Sequence, residues 1–229
     1  MFFDPMYLLF AAPALIIMLY AQYRVSSTYK KYSKIPNMQK KTGADIALLL
    51  LRANGLGDVK VEETKGMLTD HYDPRHKRLR LSKDVYRLSS VSAMGIVAHE
   101  VGHALQDSVG YFPMKVRGAL VPVVNIGTWL GYGFFLLGIF LSVTNLVWAG
   151  VVLFSGAVVF ALVTLPVEFN ASVRARQMLK SNGLVTTAES DGVSAVLSAA
   201  ALTYVAALLQ AVSSLVYYIF VATGMSRRE

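Results

Sequence analysis

The chain has 229 residues, of which 55% are apolar and only 16% charged, whereas soluble domains carry about 25% charged residues. This composition argues against a soluble protein, and the absence of cysteine excludes disulfides and thiolate metal sites. The net charge of +8 does not indicate a nucleic-acid partner, because all 22 Lys and Arg residues are confined to three stretches flanking apolar segments. Membrane topology and anionic lipid account for that placement.

Four apolar segments follow one another along the chain. The first runs from Tyr7 to about Tyr23, and the lack of a basic region before it favours an uncleaved anchor over a signal peptide. The others, Leu120–Leu141, Leu146–Leu165 and one within Val193–Val221, are long enough to cross a hydrocarbon core about 30 Å thick. The sequence therefore predicts four transmembrane helices.

The distribution of basic residues predicts the orientation of these helices. The first six residues contain no Lys or Arg, whereas residues 24–41 contain six. This asymmetry places the N-terminus outside and the following domain in the cytoplasm. The uncharged turn at residues 142–145 then faces outward. The fourth helix also ends outside, where Arg227 and Arg228 fit the charge rule poorly, so the side of the C-terminal tail stays open.

The expected fold is mainly α, with four transmembrane helices and a small α+β cytoplasmic domain of zincin type. The predicted parts are an anchor at 1–24, a cytoplasmic domain at 25–116, a transmembrane hairpin at 117–165, a cytoplasmic segment at 166–192, and a fourth helix with tail at 193–229. Within the cytoplasmic domain, the spacing of apolar residues predicts a helix over Thr42–Asn54, which ends at Gly55–Gly57. Short strands are predicted at Val59–Val61 and Arg78–Leu81. A second helix is predicted from about Val91 to Asp107, with Ser89 or Ser90 as its cap.

The last of these helices carries an H-E-x-x-H motif, His99-Glu100-Val101-Gly102-His103. Side chains four residues apart lie on the same helical face, so the two imidazoles can bind one Zn²⁺ ion. Glu100 would then accept a proton from the attacking water and pass it to the leaving amine. The alternative, ordinary polar residues on a surface helix, fits poorly because the preceding residues 92–97 are mostly apolar or small and buried imidazoles need partners.

A zinc site of this kind needs a third protein ligand. No His follows His103, so a carboxylate is expected, and only four acidic residues follow Asp107. Glu168 is favoured because it lies two residues after Pro166, where the third helix is expected to enter the cytoplasm on the side that holds His99. A solvated or interfacial carboxylate is the alternative.

Several further residues are candidates for supporting roles. Asp107, and less strongly Gln106, could accept the second N–H of a ligand imidazole. His71 or Tyr72 could stabilise an oxyanion, in a segment that could also pair with an extended peptide, although a polar turn is the favoured interpretation there. Arg174 could stabilise charge in the transition state or simply anchor the cytoplasmic side of the membrane.

Four segments together resemble the YugP-type membrane zinc metallopeptidases of bacteria. They are His99–Gln106 (HEVGHALQ), Thr69–Pro74 (TDHYDP), Leu165–Ala175 (LPVEFNASVRA) and Ala199–Ala207 (AAALTYVAA). The resemblance covers essentially the whole chain and implies a neutral zinc peptidase of the bacterial cytoplasmic membrane.

A more distant resemblance is to HtpX and the CAAX prenyl proteases, membrane gluzincins with a downstream Glu-x-x-x-Asp motif. Glu168 matches the glutamate of that motif, whereas Ser172 stands where the family has aspartate. The resemblance thus implies Glu168 as the third ligand and leaves Asn170 or Asp107 to take the orienting role.

The sequence therefore predicts a multi-pass zinc metalloendopeptidase whose active site faces the cytoplasm and whose substrates are membrane-associated or misfolded proteins. A non-catalytic metal-binding scaffold or chaperone is the alternative, and the intact Glu100 favours the enzyme. A transporter is disfavoured because the centres of the last three apolar segments contain no ionisable residue. Nothing in the sequence specifies the substrate or the oligomeric state.

Overall fold

The computed structural model of the protein describes residues 5–227, with the side chain of Pro5 left out. Residues 1–4 and 228–229 lie outside the described residues. Arg228, which was expected in the outer tail, is one of these. Over residues 5–227 the elements are, in chain order, α1 (Pro5–Tyr32), α2 (Gly43–Ala53), β1 (Lys60–Thr64), β2 (His71–Asp73), β3 (Arg78–Ser82), α3 (Lys83–Arg87), α4 (Val91–Ser108), α5 (Phe112–Phe140), α6 (Thr144–Ser181) and α7 (Thr187–Ser226).

Four of the described helices, α1, α5, α6 and α7, are long and apolar enough to cross a membrane. They extend well beyond the apolar segments, and α6 and α7 reach 38 and 40 residues where about 20 suffice to span a bilayer. In α6 the helix continues through Pro166 and the polar residues after it. It ends only at Ser181, just before Gly183 at a φ of 63°.

The chain divides into two compact units. The first comprises Met1–Ala21, Lys115–Pro166 and Thr203–Glu229, and the second comprises Gln22–Met114 and Val167–Leu202. The first unit therefore holds the most apolar stretches of α5, α6 and α7, and the second holds all the described strands together with α2, α3 and α4.

In the first unit, helices α5 and α6 cross at a pair of glycines. A Cβ atom added to Gly131 would lie 3.0 Å from the carbonyl oxygen of Gly150, and one added to Gly150 would lie 2.7 Å from that of Gly131. The outward faces carry large apolar side chains, with Trp129 79% and Phe140 84% exposed. Apolar faces of this kind suit lipid rather than water, and Gly131 is used for packing within the chain.

The second unit contains a three-stranded sheet in the order β1-β3-β2, with β1 parallel and β2 antiparallel to the central β3. Along β3, Leu79 and Leu81 are fully buried while Arg78 and Arg80 are partly exposed, which is the predicted alternation. Helix α4 packs against α2 and against β2 and β3. Its first two turns are almost entirely buried.

Local sequence signals account for the helix ends in this unit. Thr42 caps α2 in a capping box with Asp45, and Ser90 caps α4 by accepting the N–H of Ala93, both as the predicted boundaries require. The favoured interpretation of residues 71–73 as a polar turn was wrong. They form β2 because β3 supplies the backbone partners, which three residues do not reveal on their own.

Candidate metal centre

The two histidines of the H-E-x-x-H motif lie one turn apart on α4. Their ring centroids are 4.8 Å apart and the ring planes meet at 85°. Both imidazoles are largely buried, with 12% of the His99 side chain and 10% of the His103 side chain exposed. The helix thus presents two imidazole nitrogens to one point inside the second unit.

Helix α6 lies close to α4 at Gly102, the residue before His103. A Cβ atom at Gly102 would lie only 2.7 Å from the carbonyl oxygen of Ala171, which is backbone and cannot rotate away. A side chain at this position would therefore force the two helices apart. This contact brings Glu168, one turn before Ala171, up to the imidazoles.

Glu168 faces both histidines. Its Oε2 lies 3.2 Å from Nε2 of His99 and 3.4 Å from Nε2 of His103, and its side chain is 2% exposed. Ligand atoms of the three residues all lie within 4.8 Å of one another. Two ligand atoms held about 2.05 Å from a tetrahedral zinc ion lie about 3.3 Å apart, and the two distances from the Glu168 oxygen to the imidazole nitrogens match that value.

The charges of this cluster favour a proton on His103 when no metal is bound. Burial by itself would lower the pKa of His103, but the hydrogen bond with Glu168 and the charge of Glu100 outweigh it and raise that pKa above its ordinary value. Metal ligands must be deprotonated, so binding of a cation here would release that proton.

Glu100 points from α4 towards β2. The backbone N–H of Tyr72 donates to its Oε2 at 3.0 Å. Burial raises the pKa of Glu100, although the nearby imidazoles partly oppose that rise. The carboxyl group is therefore held in place by β2 and has a pKa shifted towards neutrality.

Asp107 contacts β2 and not a histidine. The Tyr72 hydroxyl donates to its Oδ2 at 2.9 Å, and burial together with this hydrogen bond raises the pKa of Tyr72, so that the hydroxyl stays protonated. The hydrogen bond to a ligand imidazole that the sequence suggested for Asp107 is made by its neighbour Gln106, whose Oε1 lies 2.9 Å from Nδ1 of His103. The corresponding partner of His99 Nδ1 is the hydroxyl of Ser172 at 3.2 Å.

The other sequence candidates divide into two groups. Asn170 and Arg174 lie beside Gln106: Asn170 Oδ1 accepts from Nε2 of Gln106 at 3.0 Å and from Nε of Arg174 at 2.7 Å. His71 is exposed, and its Nδ1 lies 2.8 Å from the carbonyl oxygen of Thr69 in the adjoining loop. Gly102 was not among the sequence candidates, although a glycine inside an H-E-x-x-H motif is a signal for close backbone approach.

Helices long and apolar enough to span a membrane, together with an H-E-x-x-H motif whose two imidazoles face one carboxylate, are the features of a membrane metallopeptidase. The chain belongs to the family described as "Putative neutral zinc metallopeptidase", whose sequence profile matches residues 7–223. It is 47% identical over 208 residues to the "Putative membrane protease YugP" of Bacillus subtilis (strain 168), an alignment that covers 91% of this chain and 92% of that protein. No solved structure matches the chain.

The close approach at Gly102 generates a direct test. We expect Gly102→Ala to destabilise the second unit by about 1–3 kcal/mol and to lower metal occupancy, because the added methyl group meets the Ala171 carbonyl. Gly95→Ala on the same helix is the matched control, since its Cβ would make an ordinary 3.4 Å contact with Val193. Thermal unfolding and zinc content of both purified variants are the measurements. Equal stability and occupancy in the two would show that the crossing is not tight.

Proposed function

We propose that the protein is a zinc metalloendopeptidase in which His99, His103 and Glu168 hold the metal and Glu100 is the general base. The observation that carries the proposal is the approach of one Glu168 oxygen to Nε2 of both imidazoles, 3.2 Å from the first and 3.4 Å from the second. Family membership supports zinc as the ion. Two imidazoles and one carboxylate match the ligand set of catalytic rather than structural zinc sites.

The residues around the site divide the chemistry between them. When bound, zinc supplies a Lewis acid that polarises a carbonyl group and lowers the pKa of water. Glu100 takes the proton from the attacking water and later gives it to the leaving amine, a task that suits a carboxyl group whose pKa burial has raised. The Tyr72 N–H keeps the Glu100 carboxylate aimed during both transfers.

The edge of the sheet is the proposed place for the substrate. Strand β2 pairs with β3 on one side only, and on the other side the backbone N–H of Tyr72 donates to Glu100. A peptide that lies in extended form beside this edge strand would pass the general base. Extended binding requires unfolded or locally unfolded chains, which supports membrane-associated or misfolded proteins as substrates.

We further propose that the protein is a multi-pass protein of the bacterial cytoplasmic membrane and that the site faces the cytoplasm. The asymmetry in basic residues, absent from the first six positions and dense from Arg24 to Lys41, supports this orientation. The four apolar helices support the multi-pass arrangement.

The ligand assignment predicts the zinc content of single variants. Wild type should carry one zinc per chain, and His99→Ala or His103→Ala should lose it. Glu168→Gln should bind zinc at least about tenfold more weakly, since even supporting residues contribute 10–100-fold. Glu189→Gln is the matched control. It replaces another buried glutamate, which caps α7, and this variant should retain zinc. Stoichiometric zinc in the double histidine variant, or unchanged affinity in Glu168→Gln by chelator competition, would contradict the assignment.

The role of Glu100 predicts a separation of binding from catalysis. Glu100→Gln should keep wild-type zinc content and slow hydrolysis by about 10²–10⁴-fold, because the proton acceptor is lost while all three ligands remain. The assay is cleavage of casein, an unstructured protein, by detergent-solubilised enzyme. Undiminished cleavage in Glu100→Gln would refute the base assignment. Zinc binding without any cleavage by the wild type would favour the metal-binding scaffold.

The absence of cysteine makes the orientation easy to test. Lys60→Cys places a single thiol at an exposed position at the start of β1, and Val143→Cys places one in the turn between α5 and α6. In intact cells, a membrane-impermeant maleimide should label residue 143 and should reach residue 60 only after lysis. The reverse pattern would move the site to the outer face.

A further inference from the structure

Gln106 is the polar side chain that joins the motif helix to α6. It is fully buried, with 0% exposed. Its Nε2 donates to the carbonyl oxygen of Val167 at 2.8 Å and to Oδ1 of Asn170 at 3.0 Å, while its Oε1 faces Nδ1 of His103 at 2.9 Å. Every polar atom of the amide therefore has a defined partner.

The partners of Gln106 allow only one orientation of its amide. The Val167 carbonyl can only accept a hydrogen bond, so the nitrogen of Gln106 must face it. Asn170 Oδ1 also accepts from Nε of Arg174 at 2.7 Å. A guanidinium group is always charged and can only donate, so Asn170 must turn its oxygen to Arg174 and offers Gln106 that same acceptor.

The Arg174 end of this chain is itself held in place. The guanidinium carbon lies 6.0 Å from the ring centroid of Tyr111, within the range of a cation–π contact, and the arginine side chain is half-buried. The direction of donation is therefore set at both ends, by a cation that cannot accept and by a backbone carbonyl that cannot donate.

We propose that Arg174, Asn170 and Gln106 form a positioning relay that fixes which nitrogen of His103 carries hydrogen. Since the Gln106 oxygen can only accept, it favours the form of His103 that carries hydrogen on Nδ1, and this is the form whose Nε2 lone pair is available to a metal. In the metal-free protein the Glu168 carboxylate competes with Gln106, because it can accept a hydrogen bond from Nε2–H. None of the three residues touches the reacting atoms; they act through His103. This inference rests on the proposed zinc centre.

The relay distinguishes the two histidines. The partner of His99 Nδ1 is the hydroxyl of Ser172, which can donate or accept, so that contact does not dictate where the hydrogen of His99 lies. Outside such a constraint, a neutral imidazole carries its hydrogen mostly on Nε2, the nitrogen that zinc needs here. The Gln106 oxygen thus favours one form of His103, whereas the hydroxyl of Ser172 suits either form of His99.

The first test measures zinc affinity of the full chain in detergent by chelator competition. Gln106→Met, of similar volume but without an acceptor for Nδ1–H, should weaken binding by about 10–100-fold. Arg174→Met should cause a smaller loss of zinc affinity, because the Asn170 amide is then free to turn. Arg174→Lys should bind zinc as tightly as the wild type does, because an ammonium group is also only a donor. Arg176→Met is the matched control, an arginine on the same helix outside the relay, and should leave affinity unchanged.

The second test needs neither metal nor activity. Glu168→Ala removes the carboxylate that competes for the hydrogen on Nε2. In zinc-free Glu168→Ala at alkaline pH, the ¹⁵N shifts of His103 should show hydrogen on Nδ1, and adding Gln106→Met should move them towards the Nε2–H form. Hydrogen on Nε2 of His103 in Glu168→Ala, or wild-type zinc affinity in Gln106→Met, would overturn the relay. If the wild type binds no zinc, the proposed centre fails, and the nitrogen shifts still decide whether the relay exists.

Discussion

The contact between Gly102 of α4 and the Ala171 carbonyl of α6 is the constraint on which the site depends. An added Cβ would lie 2.7 Å from that oxygen, so only glycine allows this separation of the helices. The same approach brings Glu168 within 3.4 Å of His103 Nε2 and lets Gln106 reach the Val167 carbonyl. The positions of Glu168 and Gln106 beside His103 therefore depend on this backbone contact.

The site places a carboxylate and two imidazoles in a buried position, which is costly unless every polar group has a partner. Glu168 is 2% exposed and faces both imidazoles, while Gln106 and Ser172 take the nitrogens that face away from it. Among residues 5–227, no fully buried side-chain nitrogen or oxygen lacks a hydrogen bond. A network satisfied in this way is rigid, and rigidity is what a metal site requires of its ligands.

The sheet contributes to the same helix from the opposite side. Tyr72 binds Glu100 through its backbone N–H and Asp107 through its hydroxyl, so two positions of α4 are attached to β2. Glu100, which we propose as the general base, and the edge proposed for the substrate are therefore parts of one rigid arrangement. A peptide bound along β2 would be placed by the strand that also aims Glu100.

The sequence by itself determined the four apolar helices, the two helices of the cytoplasmic domain with a cap at Ser89 or Ser90, and the candidacy of His99 and His103, because periodicity, capping and motif spacing are local. Glu168 became a candidate because few acidic residues follow the motif and because the expected topology returns the chain to the same side of the membrane. The sequence left the partner of His103 open between Asp107 and Gln106, and it favoured a turn where β2 forms. Only the tertiary structure decided these points. Which side chain reaches an imidazole, and whether a three-residue segment finds a strand to pair with, depends on contacts between residues far apart in the chain, such as Gln106 with Val167.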